Sequence, residues 1–193
     1  MSKQITVIDG HPDPERARFI HALADAYAAA AEQAGHAVRR INVAEIDFPI
    51  LRSQSHWQNE PAPPAIAEAG AAIEWADHLV LLYPLWLGDV PALFKAFLEQ
   101  VARPNIAFRY REKGMPEKLW AGRSARVIVT MGMPGLFYRL FYRAHSLKSL
   151  ERNILKFVGI KPVASTVIGM VEGSAESRAE WLEKIRALGR DGS

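Results

Sequence analysis

Three short segments hold the residues whose types and spacing suit chemistry. The first is Gly10-His11-Pro12-Asp13-Pro14-Glu15-Arg16-Ala17-Arg18-Phe19, which joins an apolar run to a helix start. A helix N-terminus presents unpaired N–H donors at the positive end of its dipole, which suits a phosphate. Arg16 and Arg18 would add charge there. The same residues also read as an ordinary loop with two solvated arginines. The second segment is Tyr83-Pro84-Leu85-Trp86-Leu87-Gly88-Asp89-Val90-Pro91-Ala92. Loops are usually polar, so large apolar side chains just past a strand point to a flat aromatic ligand edged by Trp86 and Leu87. A loop packed on its own helix, or a contact between two copies, reads the same way. The third segment is Thr130-Met131-Gly132-Met133-Pro134-Gly135, where two glycines and a proline allow close backbone approach to a ligand. Downstream, Tyr138 and His145 have the chemistry of proton donors. Tyr138 and Tyr142 also fit packing positions on a helical turn.

Positioning these segments requires strands and helices, and the chain alternates them. Apolar runs at Ile5–Asp9, Ala37–Val43, His78–Tyr83, Arg123–Thr130 and Val163–Ile168 read as strands. Helical spacing covers Phe19–Ala34, Ala65–Trp75, Pro91–Val101, Ser146–Val158 and Ser174–Leu188, and Gly35 stands where a C-terminal cap belongs. His78–Tyr83 shows no polar alternation after its first residue, as a strand buried on both faces requires. Phe48–Pro64 is proline-rich and aperiodic, and Arg103–Gly122 is a charged excursion. This pattern predicts one domain over residues 1–193, an α/β fold with a five-stranded parallel sheet and helices on both faces. The expected strand order is 2-1-3-4-5, with ligand at the carboxyl ends near the switch between strands one and three.

Composition narrows the chemistry. The chain of 193 residues has no cysteine, which removes disulfides, thiolate metal sites and cysteine nucleophiles, and no metal is expected. Redox chemistry would need a bound cofactor. The net charge of +3 is mild and its lysines and arginines are dispersed, so nucleic acid is not an expected partner. No apolar stretch approaches the roughly 18 residues of a membrane span, and no signal segment is expected before the first strand, so a cytoplasmic location is anticipated. Neither G-x-x-x-x-G-K-[ST] nor G-x-G-x-x-G occurs, which disfavours a nucleotide triphosphatase or a Rossmann dinucleotide site. G-x-S-x-G is also missing, which argues against an α/β-hydrolase. Tyr83-Pro84 ends strand three where a response-regulator receiver would need its phosphoacceptor aspartate.

In their order and spacing the three segments resemble the NAD(P)H:quinone reductase family, the flavodoxin-2 group that includes the DT-diaphorases. The resemblance rests on Gly10-His11-Pro12, on Pro84-Leu85-Trp86-Leu87-Gly88-Asp89-Val90-Pro91-Ala92-Leu93-Phe94-Lys95, on Thr130-Met131-Gly132 and on Asn153–Ile160, and covers nearly the whole chain. It implies a flavodoxin-like three-layer fold and a non-covalent FMN or FAD. It further implies NAD(P)H as co-substrate, hydride transfer through flavin N5 to a quinone-like acceptor, and a homodimer. By position, His11, Arg16, Arg18 and Phe19 fall in the family's phosphate loop, and Pro84, Leu85, Trp86 and Leu87 fall at the isoalloxazine. Thr130, Met131 and Gly132 form its other side, and Tyr138 and His145 fall near a tyrosine and a histidine proposed to stabilise reduced flavin. Arg18 and Ile20 stand where the family has a hydroxyl and an amide, Leu87-Gly88 replaces bulkier residues, and His145 aligns only with a one-residue gap. Two other roles suit the same resemblance: an ancillary subunit of a potassium-efflux system, and a flavodoxin-type electron carrier. A flavin-free structural protein would also suit the altered phosphate loop.

Overall fold

The apolar runs form the sheet expected of them. The computed structural model describes residues 2–193. Three strands come first: β1 (Gln4–Asp9), β2 (Ala37–Asn42) and β3 (His78–Pro84). Two dipeptide strands, β4 (Phe108–Arg109) and β5 (Glu117–Lys118), pair as a separate antiparallel ribbon inside the excursion read at Arg103–Gly122. Then come β6 (Ser124–Thr130) and β7 (Val163–Ile168). The main sheet is parallel throughout, in the order β2-β1-β3-β6-β7. With the ribbon set aside, this is the expected 2-1-3-4-5, a flavodoxin-like fold.

Alternation along each strand feeds two cores. Ile5 and Val7 of β1 and Val80 and Leu82 of β3 face α1 (Phe19–Gln33). The opposite face carries Ile8, Leu79, Leu81 and Tyr83. It packs against α3 (Pro64–Trp75) and α4 (Ala92–Val101), which follow a one-turn α2 (Gln54–Gln58) capped by Ser53. Each fully buried Leu, Ile or Phe contributes about 1.5–3 kcal/mol, so these two faces dominate stability.

The segment after β6 departs from expectation. A short helix, α5 (Gly135–Leu140), follows the third loop. The single helix read over Ser146–Val158 is three pieces: α6 (His145–Ser149), a π-helical stretch (Leu150–Leu155) and α7 (Lys156–Val158). Periodicity of 3.6 does not register the extra residue that a π turn absorbs. The last helix, α8 (Ala175–Asp191), lies on α1 so closely that a Cβ at Gly189 would stand 2.4 Å from the Tyr27 carbonyl oxygen. Among the described residues, no helix is long and apolar enough to cross a membrane.

Candidate functional site

Parallel strands all end at one edge, and the register aligns Asp9 with Leu82 and Pro84 with Thr130. Backbone bonds tie the three outgoing loops together at their roots. The Gly10 N–H donates to the Leu82 carbonyl (2.7 Å), Leu85 to Thr130 (2.7 Å) and Met131 to Ile168 (2.9 Å).

The second loop turns back on itself. Trp86 and Asp89 exchange N–H···O bonds of 3.0 and 2.9 Å around Leu87 (φ 47°) and Gly88 (φ 81°). Two successive positive φ angles make a turn that favours Asn-Gly. Leucine there is strained, and its side chain is wholly exposed while Trp86 is 49% exposed. Replacing Leu87 with Asn is expected to raise the unfolding free energy by about 1 kcal/mol in urea titration. A loss would show that Leu87 makes native contacts worth more than its strain. One side of this loop walls a cleft of about 460 Å³, which extends to Ser146, Leu150 and Ile154.

The first loop meets the second through His11, whose ring packs edge-on to Trp86 at 5.8 Å between centroids. His11 itself is buried, and the Asp13 N–H donates to its Nδ1 (3.0 Å). Burial, then the neighbouring His21, holds its pKa below the usual histidine value. The two arginines are exposed but already carry ion pairs. Arg18 donates to the Asp13 carboxylate (2.8 Å) and Arg16 to Asp25 (2.8 Å), which also takes Arg40. The Glu15 amide, then the Arg18 guanidinium, keeps the Asp13 carboxyl below its ordinary range. Phe19 is half-buried and packs into the core under α1.

In the third loop Thr130 and Met131 are buried and Gly132 is exposed, with nothing within 4 Å of where a Cβ would lie. Tyr138, for which both a proton-donor and a packing role were expected readings, is buried. Its ring has no exposed surface, its hydroxyl shares a proton with Ser146 Oγ (2.7 Å), and it accepts the Leu147 N–H (3.2 Å). The cause is the turn at Arg143 and Ala144, both at positive φ (51° and 48°), which folds α6 back over α5. His145 is exposed, with Nδ1 3.0 Å from the Tyr142 carbonyl. It lines a separate basic groove with Arg143, Lys148, Arg152 and Lys156.

The sequence reading passed over Asp9 and His21. Both are buried, and the His21 Nδ1 lies 2.5 Å from Asp9 Oδ2. The available signal was a carboxylate closing an otherwise apolar strand.

The donor set fits a flavin phosphate and ring. α1 begins without a side-chain cap and without an acidic residue in its first turn, so its positive end is not neutralised from within. Trp86, Leu87 and the open face at Gly132 offer apolar surface to a planar ring. The buried Tyr83 hydroxyl, one residue before Pro84, has no hydrogen-bond partner.

Residues 3–188 match the model of the flavodoxin-2 family, described as a flavodoxin-like fold, and the chain belongs to that family. An FMN-dependent NADH:quinone oxidoreductase of Nitratidesulfovibrio vulgaris (strain DP4) is 27% identical to it over 207 residues, covering 95% of this chain and 97% of the relative. An FMN-dependent NADH:quinone oxidoreductase 1 of Hahella chejuensis is 36% identical over 92 residues, covering 47% of this chain and 42% of the relative. Among solved structures, an NAD(P)H:quinone oxidoreductase from Methanothermobacter marburgensis superposes with a TM-score of 0.83 at 25% identity, covering both chains fully.

Proposed function

We propose that this chain is an FMN-dependent NAD(P)H:quinone oxidoreductase, acting as a single domain over residues 1–193. The observation that carries the reading is the meeting of three strand-end loops, with His11 on Trp86 beside an uncapped helix start. The names of the relatives matched along nearly the whole chain support it. FMN, when bound, supplies the redox chemistry by accepting hydride from NAD(P)H and passing two electrons to a quinone-like acceptor.

The protein's part is to bind, orient and exclude water. The His11–Phe19 loop and the first amides of α1 would hold the phosphate, with Arg16 and Arg18 in reserve beside it. Pro84, Leu85, Trp86 and Leu87 would flank the ring on one side, and Thr130, Met131 and Gly132 on the other. Tyr138 holds α6 against α5 and so positions the wall of the cleft. His145, being exposed, is the proposed proton donor of the pair. A second copy is proposed to cover the exposed Trp86 and Leu87 at the mouth, and light scattering would read that dimer. NAD(P)H as reductant implies the cytoplasm.

Protein purified with excess FMN is expected to keep its flavin absorption after desalting. That absorption should bleach anaerobically on adding NADH or NADPH, and return on adding a quinone. Retained flavin that never bleaches would make the chain an electron carrier or a regulatory subunit. Failure to retain flavin at all would overturn the reading.

A further inference from the structure

Beneath the first loop lie two buried ionisable groups that the proposed chemistry does not use. Asp9 is 3% exposed and His21 is 4% exposed. Burying such groups is costly unless they are fully bonded, and an apolar pair of similar volume would be cheaper. Here every polar atom has a partner. Asp9 Oδ1 accepts the His11 N–H (3.1 Å), and Asp9 Oδ2 takes His21 Nδ1. His21 Nε2 reaches the Asp13 carbonyl at 2.9 Å. A carbonyl can only accept, so His21 Nε2 is the donor of that bond.

The result is a clamp on the backbone of one residue, Asp13, from both sides. His21 grips the carbonyl of Asp13 and His11 grips its N–H. Both grips trace back to Asp9, the last residue of β1, and His21 sits in the first turn of α1. The clamp therefore sets how far, and at what angle, α1 starts from the sheet edge. His11 carries the same constraint across to Trp86. Nothing in the packing of the two cores calls for this arrangement; its consequences fall on the loop and on the amides that open α1.

We propose that Asp9 and His21 are positioning residues for the phosphate of the bound flavin, shaping the His11–Arg18 loop so that the α1 amides converge on it. This rests on the flavin reading above. It predicts a defect that depends on the phosphate, since riboflavin shares the ring and lacks that group.

The test is to titrate apoprotein separately with FMN and riboflavin, following quenching of flavin fluorescence, for wild type, His21→Asn and Asp9→Asn. In either variant FMN affinity is expected to fall about 10–100-fold, the scale of one charged hydrogen bond lost. Riboflavin affinity should move by less than about twofold, well under the same scale. His21→Gln, which can still donate to the Asp13 carbonyl, should recover part of the loss. Equal losses for both flavins, or none, would overturn the proposal. Should the substitutions prevent folding, the ring ¹⁵N signals of His21 in wild type decide: they should shift with FMN and stay in place with riboflavin, and identical shifts count against the clamp. Wild type that binds neither flavin would reject the flavin reading itself and this inference with it. Binding of both without discrimination in the variants rejects the clamp alone.

Discussion

The unfolding free energy should fall by about 3 kcal/mol as pH drops from neutrality to about 4, with His78 as the source. His78 opens β3, is 4% exposed, and faces Ser124 Oγ across the β3–β6 pair at 2.7 Å. Its Nε2 is buried without a partner. Burial first, then the positive charges of Lys3, Arg126 and His36, pushes its pKa from 6.5 down to about 4. In the unfolded chain it takes a proton near the ordinary value, and in the folded protein it resists. Between those values the unfolded state binds more protons, so stability rises with pH there. The contribution is complete above about 6.5, is lost as pH falls toward about 4, and changes no further below that. Urea unfolding at pH 7 and near pH 4.5, for wild type and His78→Asn, would measure it. The variant should lose much less stability on acidification. Parallel losses in the two proteins would assign the acid sensitivity elsewhere.

The second large effect concerns a cation outside the three loops. Arg103 follows α4, is 2% exposed, and ties three acceptors together. It donates to the carbonyls of Glu60 (2.8 Å) and His56 (3.2 Å) and to the Gln100 side chain. Gln100 in turn donates to the Pro49 carbonyl. Through these bonds the 49–60 stretch, α2 included, is held to the end of α4. Arg103→Met keeps much of the apolar stem and strands those acceptors, at an expected cost of about 3–4 kcal/mol. Arg103→Lys should regain only part of this, because one ammonium cannot match the planar fork. Guanidinium unfolding would test both. FMN affinity of the folded variant is expected to stay within about twofold of wild type, since none of the partners of Arg103 belongs to the three loops. A loss below about 1 kcal/mol would mean that water reaches those carbonyls in the folded state.

Arg103 also shows where reading the chain stops. In sequence it is one more dispersed cation at the start of a charged excursion. Its two carbonyl acceptors belong to residues more than 40 positions earlier, and no local spacing announces them. Arg16 and Arg18 are a related case. Their types suit a phosphate, and only the folded chain brings Asp25 and Asp13 within reach of them. Tyr138 shows the same limit. Helical spacing left it either packing or facing a ligand, and the left-handed turn at Arg143–Ala144 turned it inward.

What the sequence determined by itself was the sheet and its order. Strand runs without polar alternation must be buried on both faces, helices must cover them, and right-handed crossovers leave few ways to connect the pieces. That logic also placed the three loops at one edge, because parallel strands all end on the same side. Tertiary structure alone decided which side chains meet there. His11 reaches Trp86 across two loops, and Asp9 reaches His21 from a strand to a helix. Such contacts depend on angles between elements and on hydrogen-bond partners distant in the chain, and neither is written in the local periodicity of the residues that make them.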